Sequence, residues 1–188
     1  MDLLWADLIN SDWHDYRGTG GRADRVDNEG WLRGFLARAA WGSKRLPSVE
    51  QRDELRRFRG VLRRIVDEVR IGGFVAADDV EMLNGILGGA PAVRRLVQDE
   101  TGRSVVLVPA ASGMAQVLGA TAASFASMLA DGDPTRIKVC ANPDCGWVMY
   151  DESRNRTRRW CDKTECGNLI KVRSHRRRER ASSTTSKT

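Results

Sequence analysis

The chain has 188 residues, 41% of them hydrophobic and 30% charged, with 31 Lys and Arg against 25 Asp and Glu for a net charge of +6. That length holds one ordinary core plus a small satellite without covalent help. The acid-containing start Met1–Asp7 lacks the basic start, apolar stretch and cleavage site of a signal peptide, and no apolar run is read as reaching the roughly 20 residues of a membrane span. A cytoplasmic protein with no membrane association is expected.

In chain order, "MDLLWADLINSDWHD" places Leu4, Leu8 and Ile9 for a short helix, followed by the glycine-rich turn "RGTGGRADRVDN". Trp31, Leu32, Phe35, Leu36 and Ala39 fall at helical spacing with Gly42 as a stop. Ser48 and Gln51 form a capping box ahead of the longest helix, whose stripe is Leu55, Phe58, Leu62, Ile65 and Val69 before Gly72 and Gly73. Its arginines, from Arg52 to Arg70, alternate with acids and read as a solvated face. "DDVEMLNGILGG" is a shorter helix with Asp78 as its N-cap. Two β-rich runs about Glu100-Thr101-Gly102 predict a hairpin near 92–108. "SGMAQVLGATAASFASMLADGDP" is a helix whose small residues allow close packing. Pro134 then breaks a linker. The predicted fold class is mainly α with one β-hairpin (α+β). A helical body over 1–132 is followed by a small finger over 138–180 and a disordered tail over 181–188.

All four cysteines lie in one 27-residue window, Cys140-x4-Cys145 and Cys161-x4-Cys166, with fifteen residues between the pairs. In a reducing compartment this pattern favours metal ligands over two disulfides. Two thiolates from each pair suit one tetrahedral Zn(II) with Zn–S near about 2.3 Å, and four thiolates leave no open position, so the metal is structural and not hydrolytic. A [2Fe–2S] cluster takes the same ligand set and stays open at this point. "WVMYD" and "TRRWC" read as a second hairpin joined by "ESRNR", and a helix follows Cys166, the order of a treble-clef-like finger. Zinc is expected to supply on the order of 10 kcal/mol of folding free energy to this satellite, so its removal melts the satellite and spares the body.

Residues 140–188 hold 12 basic and 6 acidic residues, so the chain's whole positive excess lies there and residues 1–139 are neutral. On a helix from about Asn168, Arg173, Arg176, Arg177 and Arg180 share one face, widened by Lys171, while Arg154, Arg156, Arg158 and Arg159 lie between the cysteine pairs. A neutral body with a basic appendage suggests a partner-binding arm for phosphate or an acidic surface, with a solvated face as the alternative; nucleic acid, double-stranded DNA first, is the favoured partner. Five phosphate contacts would give a salt slope of about −4.5.

"CGW…YDESRNRTRRWCDKTECGNLIKVRSHRRRER" closely resembles the CGNR zinc finger, and "LINSDW" with "WLRGFL" is similar to the start of the ABATE domain that precedes that finger. The resemblance implies a stress-induced transcriptional regulator with the finger as its DNA-binding element, and Cys140, Cys145, Cys161 and Cys166 as zinc ligands. Leu169 stands where the family tetrapeptide has arginine.

Asn10, Asp12, Trp13, His14 and Asp27 form a polar and aromatic cluster that could be a small-molecule effector pocket, with capping and core packing as the alternative. "GTGG" lacks the Lys and Ser/Thr of a phosphate loop. With every cysteine committed to metal and only His14 and His175 as histidines, no catalytic set is indicated and no enzyme is expected. The expected function is DNA-binding regulation, with the body sensing an effector or forming a homodimer. A zinc-dependent protein- or RNA-interaction module is the alternative.

Overall fold

The computed structural model describes the backbone of residues 3–185 and side chains through Glu179. Its elements are α1 (Leu4–Ile9), β1 (Asp12–His14), β2 (Arg22–Asp24), a 3-10 turn (Arg25–Asp27), α2 (Glu29–Arg38), α3 (Val49–Arg70), α4 (Ala77–Gly89), β3 (Ala92–Asp99) and β4 (Gly102–Pro109). The chain continues through α5 (Gly113–Asp131), a 3-10 turn (Pro134–Arg136), β5 (Ile137–Val139), β6 (Val148–Tyr150), a single π turn (Lys163–Gly167) and α6 (Asn168–Thr185). Each sheet among the described residues is a two-stranded pair, β1 with β2, β3 with β4 and β5 with β6. The mainly α architecture with a hairpin over 92–109 agrees with the sequence reading.

The chain divides into two units. Unit 1 comprises residues 1–11 and 24–135, and unit 2 comprises 12–23 and 136–188. The segment Asp12–Ala23, which sequence order would leave in the body, therefore belongs with the finger.

Unit 1 is built around α3. Ser48 and Gln51 form the reciprocal capping box, and α3 buries Leu55, Phe58, Val61, Leu62, Ile65 and Val66. Trp5 of α1 and Phe125 of α5 meet in this core with ring centroids 5.3 Å apart. The run Gly113–Asp131 corrects the expectation of no span-length apolar segment: α5 is long and apolar enough to cross a membrane. Its apolar face has another explanation, because Met114, Val117, Ala122, Phe125 and Met128 are buried in the unit 1 core. At Gly119 an added Cβ would overlap the Ala90 methyl. This glycine lets α5 approach the end of α4.

Asp78 is not the α4 cap. Ala76 takes that position, its carbonyl accepting from the Asp79 and Val80 N–H groups, and Asp78 sits in the first turn where a carboxylate still complements the helix dipole. Asp79 turns inward to Arg64 of α3, at 2.5 Å. The arginines of α3 are likewise not all a solvated face. Arg59 Nη1 donates to Asp24 Oδ1 and Ser11 Oγ, and Arg56 Nε donates to Asp24 Oδ2. Arg56 also pairs with Asp27 at 2.5 Å. Ser11 and Asp24 are the residues where the chain leaves and re-enters unit 1, and the Arg25 N–H donates to the Ser11 carbonyl at 2.7 Å. Arg59 thus ties both ends of the excursion to the long helix. A charge pattern that alternates in sequence gives no sign of which arginines the fold will draw inward.

The tail expectation also changes. No glycine or proline follows Gly167, so nothing stops α6, which runs to Thr185. Residues 186–188 of the expected disordered tail lie outside the described residues.

Two outcomes follow for unit 1. Gly119→Ala should destabilise it by roughly 1–3 kcal/mol through overpacking, measured by denaturant unfolding, with zinc content unchanged. Burial alone would raise the Asp24 carboxyl, but Arg59 and Arg56 outweigh it and hold the group at about 2, below its ordinary 3.8. A depressed folded-state value contributes stability that is present above about pH 4 and lost as pH falls towards 2. Asp24→Asn should remove that segment of the stability–pH curve and lower stability at neutral pH.

Candidate metal centre and its basic groove

The first cysteine pair sits in the connection between β5 and β6. Cys140 follows Val139 directly, its N–H donates to the Trp147 carbonyl, and the Cys145 N–H donates to the Asn142 carbonyl. β6 pairs antiparallel with β5, Val139 opposite Val148 and Ile137 opposite Tyr150. This corrects the expected pairing of "WVMYD" with "TRRWC". The arginine-rich segment cannot extend as a strand, because Arg156 has φ 52° and the chain instead wraps around Asp151. The fully buried Asp151 carboxylate accepts from Lys138 Nζ, Ser153 Oγ, and the N–H groups of Ser153 and Arg158. Burial opposes its charge, but these donors prevail and hold it well below the ordinary carboxylate range. Cys161 arrives from this wrapped segment, with its N–H 3.5 Å from Cys140 Sγ. Cys166 lies in the π turn that leads into α6, which Asp162 caps by accepting from the Thr164 and Glu165 N–H groups.

The four thiols converge. Cys161 Sγ is 3.6 Å from both Cys145 Sγ and Cys166 Sγ, and all four sulfurs lie within 4.8 Å of one another. These separations exceed the roughly 2.05 Å of a disulfide. They approach the about 3.8 Å edge of a tetrahedron with Zn–S of about 2.3 Å. A set this tight encloses a single ion and leaves no space for two irons with bridging sulfides, so the donor set fits one zinc. Its electrostatics agree. The Cys161 hydrogen bond lowers Cys145 to about 6, Cys145 in turn pushes Cys161 upward, and burial raises Cys166 to about 12. One thiolate forms and opposes the next, a conflict that a divalent cation removes. With four sulfur ligands the ion has no open coordination position.

Residues distant in sequence complete this centre. Asn142 is fully buried and its Nδ2 donates to the Tyr16 carbonyl at 2.7 Å, with Cys166 Sγ at 3.5 Å. Tyr16 packs against the cysteine cluster together with Trp147 and Trp160. Arg173 of α6 pairs with Asp144 at 2.7 Å and donates to the Arg17 carbonyl at 2.6 Å. The 12–23 excursion is thereby fastened to both the knuckle and α6.

An open groove of about 800 Å³ lies beside the centre, lined among others by Thr157, Arg159, Trp160, Lys163 and Lys171. The Arg159 guanidinium sits 5.2 Å from the Trp160 ring, and a Cβ on Gly167 would stand 3.1 Å from Trp160 Cδ1, so the indole rests on the glycine. Of the residues expected at a nucleic-acid interface, Arg159 and Lys171 line the groove and Arg154, Arg176 and Arg177 are exposed. Arg158 lines it too, but its guanidinium folds back onto the Trp160 and Cys161 carbonyls, and Arg173 is held by Asp144. Arg156 contributes its carbonyl to Lys138. The Arg180 side chain lies outside the described residues. Trp160 and Lys163 are groove residues that sequence reasoning passed over. The signal for Trp160 was its place beside Cys161.

The suggested effector cluster is not assembled within one unit: Asn10 and Asp27 belong to unit 1, Asp12, Trp13 and His14 to unit 2. Asp27 is engaged by Arg56, and His14 Nε2 lies 3.4 Å from Asp12. His175 pairs with Glu179 and stands outside the cysteine set.

Two family comparisons match this sequence. Residues 2–132 match ABATE, described as "Putative stress-induced transcription regulator", and residues 136–179 match the CGNR zinc finger. No curated protein matches the chain.

Asn142→Ala should keep all four ligands yet weaken zinc binding by roughly 10–100-fold, the range for loss of a group that orients metal ligands, as measured by competition with a chromophoric chelator. Cys145→Ser should lose the metal and the fold of unit 2 while the helical signal of unit 1 persists.

Proposed function

We propose, from a chain that belongs to the ABATE family and carries a CGNR zinc finger, that it regulates transcription by binding duplex DNA through the finger. The observation that carries this reading is the groove beside the cysteine centre, where Arg159, Lys163 and Lys171 surround Trp160. Cations at fixed spacing on a metal-stapled surface suit phosphates, and the neutral body leaves the attraction concentrated on the finger. Lys171 begins a helical row that continues through Ser174 and His175 to Arg178, extending the groove along α6. The face through Arg173 serves partly to hold unit 2 together, so the sequence expectation of one phosphate-binding face on α6 shifts towards Lys171.

In this reading the metal is structural, no bond is made or broken, and the protein works in the cytoplasm. Zinc holds the strand pair, the Asp151-centred loop and the start of α6. Asn142 and Arg173 fix the knuckle and helix, while Arg159 and Lys171 meet phosphates. Unit 1 supplies effector sensing or self-association.

Titration of a labelled duplex across a salt series tests this. Arg159→Ala with Lys171→Ala should weaken binding and reduce the magnitude of the salt slope by about 2, with zinc stoichiometry unchanged. No duplex binding by the parent protein at low salt, with retention of an RNA or an acidic protein instead, contradicts the DNA reading.

A further inference from the structure

The β3–β4 hairpin is a two-stranded ribbon that packs extensively on no other element among the described residues. Two strands alone are marginal in water, and a third strand is the usual requirement for an independent sheet. Leu96 lies opposite Val105 and Arg94 opposite Leu107, so Leu96, Val105 and Leu107 share one face, exposed by 67%, 63% and 68%. The free edge of β3 has an unusual order of charge. It reads Arg94-Arg95-Leu96-Val97-Gln98-Asp99-Glu100: two cations, three neutral residues, two anions. Arg94, Arg95 and Glu100 have no ion-pair partner in their own chain among the described residues. Asp99 uses one carboxylate oxygen to accept from the Thr101 N–H and hydroxyl.

We propose that a second copy of this chain docks on the β3 edge, antiparallel, across a two-fold axis at Val97. The charge order selects this occupant. Rotation about Val97 sets Arg95 opposite Asp99 of the other copy and Arg94 beside its Glu100, and by symmetry each pair forms twice. Opposite charges facing across strands are favourable and like charges are not. A parallel, in-register pairing would face arginine with arginine, and a one-residue slip of the antiparallel pairing leaves one of the two ion pairs unmade. The β4 edge carries only Arg103 as a charge and ends in Pro109, which has no N–H to donate, so it offers no comparable pattern. The product is a four-stranded sheet with Leu96, Val105 and Leu107 of both copies on one face, which removes the marginality of the lone hairpin. This inference goes beyond the DNA-binding reading and stands without it, because its readout is self-association alone.

Sedimentation equilibrium of the zinc-loaded full chain over a concentration series provides the test. The parent protein should dimerise reversibly. Arg94→Glu and Glu100→Arg should each raise the dimer dissociation constant by about tenfold or more, since each replaces two attractive pairs by two repulsive ones. Combining both changes in one chain should restore self-association, and mixing the two single variants should yield a heterodimer, because one copy then presents two anions to two cations. Both positions are exposed, and circular dichroism verifies that the fold is kept. A parent chain that stays monomeric overturns the proposal. So do single variants that dimerise like the parent, or a mixture no more associated than its components.

Discussion

Four thiols held within 4.8 Å of one another are the constraint on which unit 2 depends. They cannot share that space as four thiolates without a cation, and as neutral thiols they contribute little cohesion to so small a body. With zinc between them they join the β5–β6 knuckle, the loop wrapped on Asp151 and the turn that opens α6. Three short segments, none able to fold alone, become one surface. The groove follows from this joining, since Arg159 and Trp160 arrive on the segment that brings Cys161, and Lys171 on the helix that follows Cys166.

The same constraint reaches the N-terminal excursion. Asn142, in the loop between Cys140 and Cys145, is fully buried, its amide has a partner in the Tyr16 carbonyl, and Tyr16 packs on the cysteine cluster. Arg173 binds the neighbouring Arg17 carbonyl. At the other end of the excursion, Arg59 and Arg56 hold Ser11 and Asp24 to α3. Residues 12–23 are thus a peptide from the N-terminal sequence serving as a structural part of the finger, and a fragment beginning at the first cysteine would leave the Asn142 amide and the Arg173 guanidinium without their backbone acceptors.

Much of this was legible in the sequence because it rests on local or periodic signals. The α3 stripe, the Ser48–Gln51 box, the 92–109 hairpin and the cysteine spacing each declare themselves within a few residues or a fixed repeat. What stayed hidden depends on partners far along the chain. Asp151 is merely the end of the β-prone run "WVMYD" until Lys138 and Arg158 close around it. Arg56 and Arg59 cannot be told from their exposed neighbours on α3 until Asp24 is placed. Strand choice failed for a related reason: "TRRWC" has β-prone composition, but the acceptors on Asp151 and the left-handed Arg156 draw it out of any ladder, leaving Ile137–Val139 as the partner of β6.

The central claim is that the metal builds the surface that meets DNA. Its most direct measurement is duplex binding at one fixed low salt concentration by the same full-length sample, before zinc removal, after chelation, and after zinc is returned. The account predicts that binding is lost on chelation while the helical signal of unit 1 is kept, and that it returns with zinc. Undiminished duplex binding by the stripped protein would contradict it.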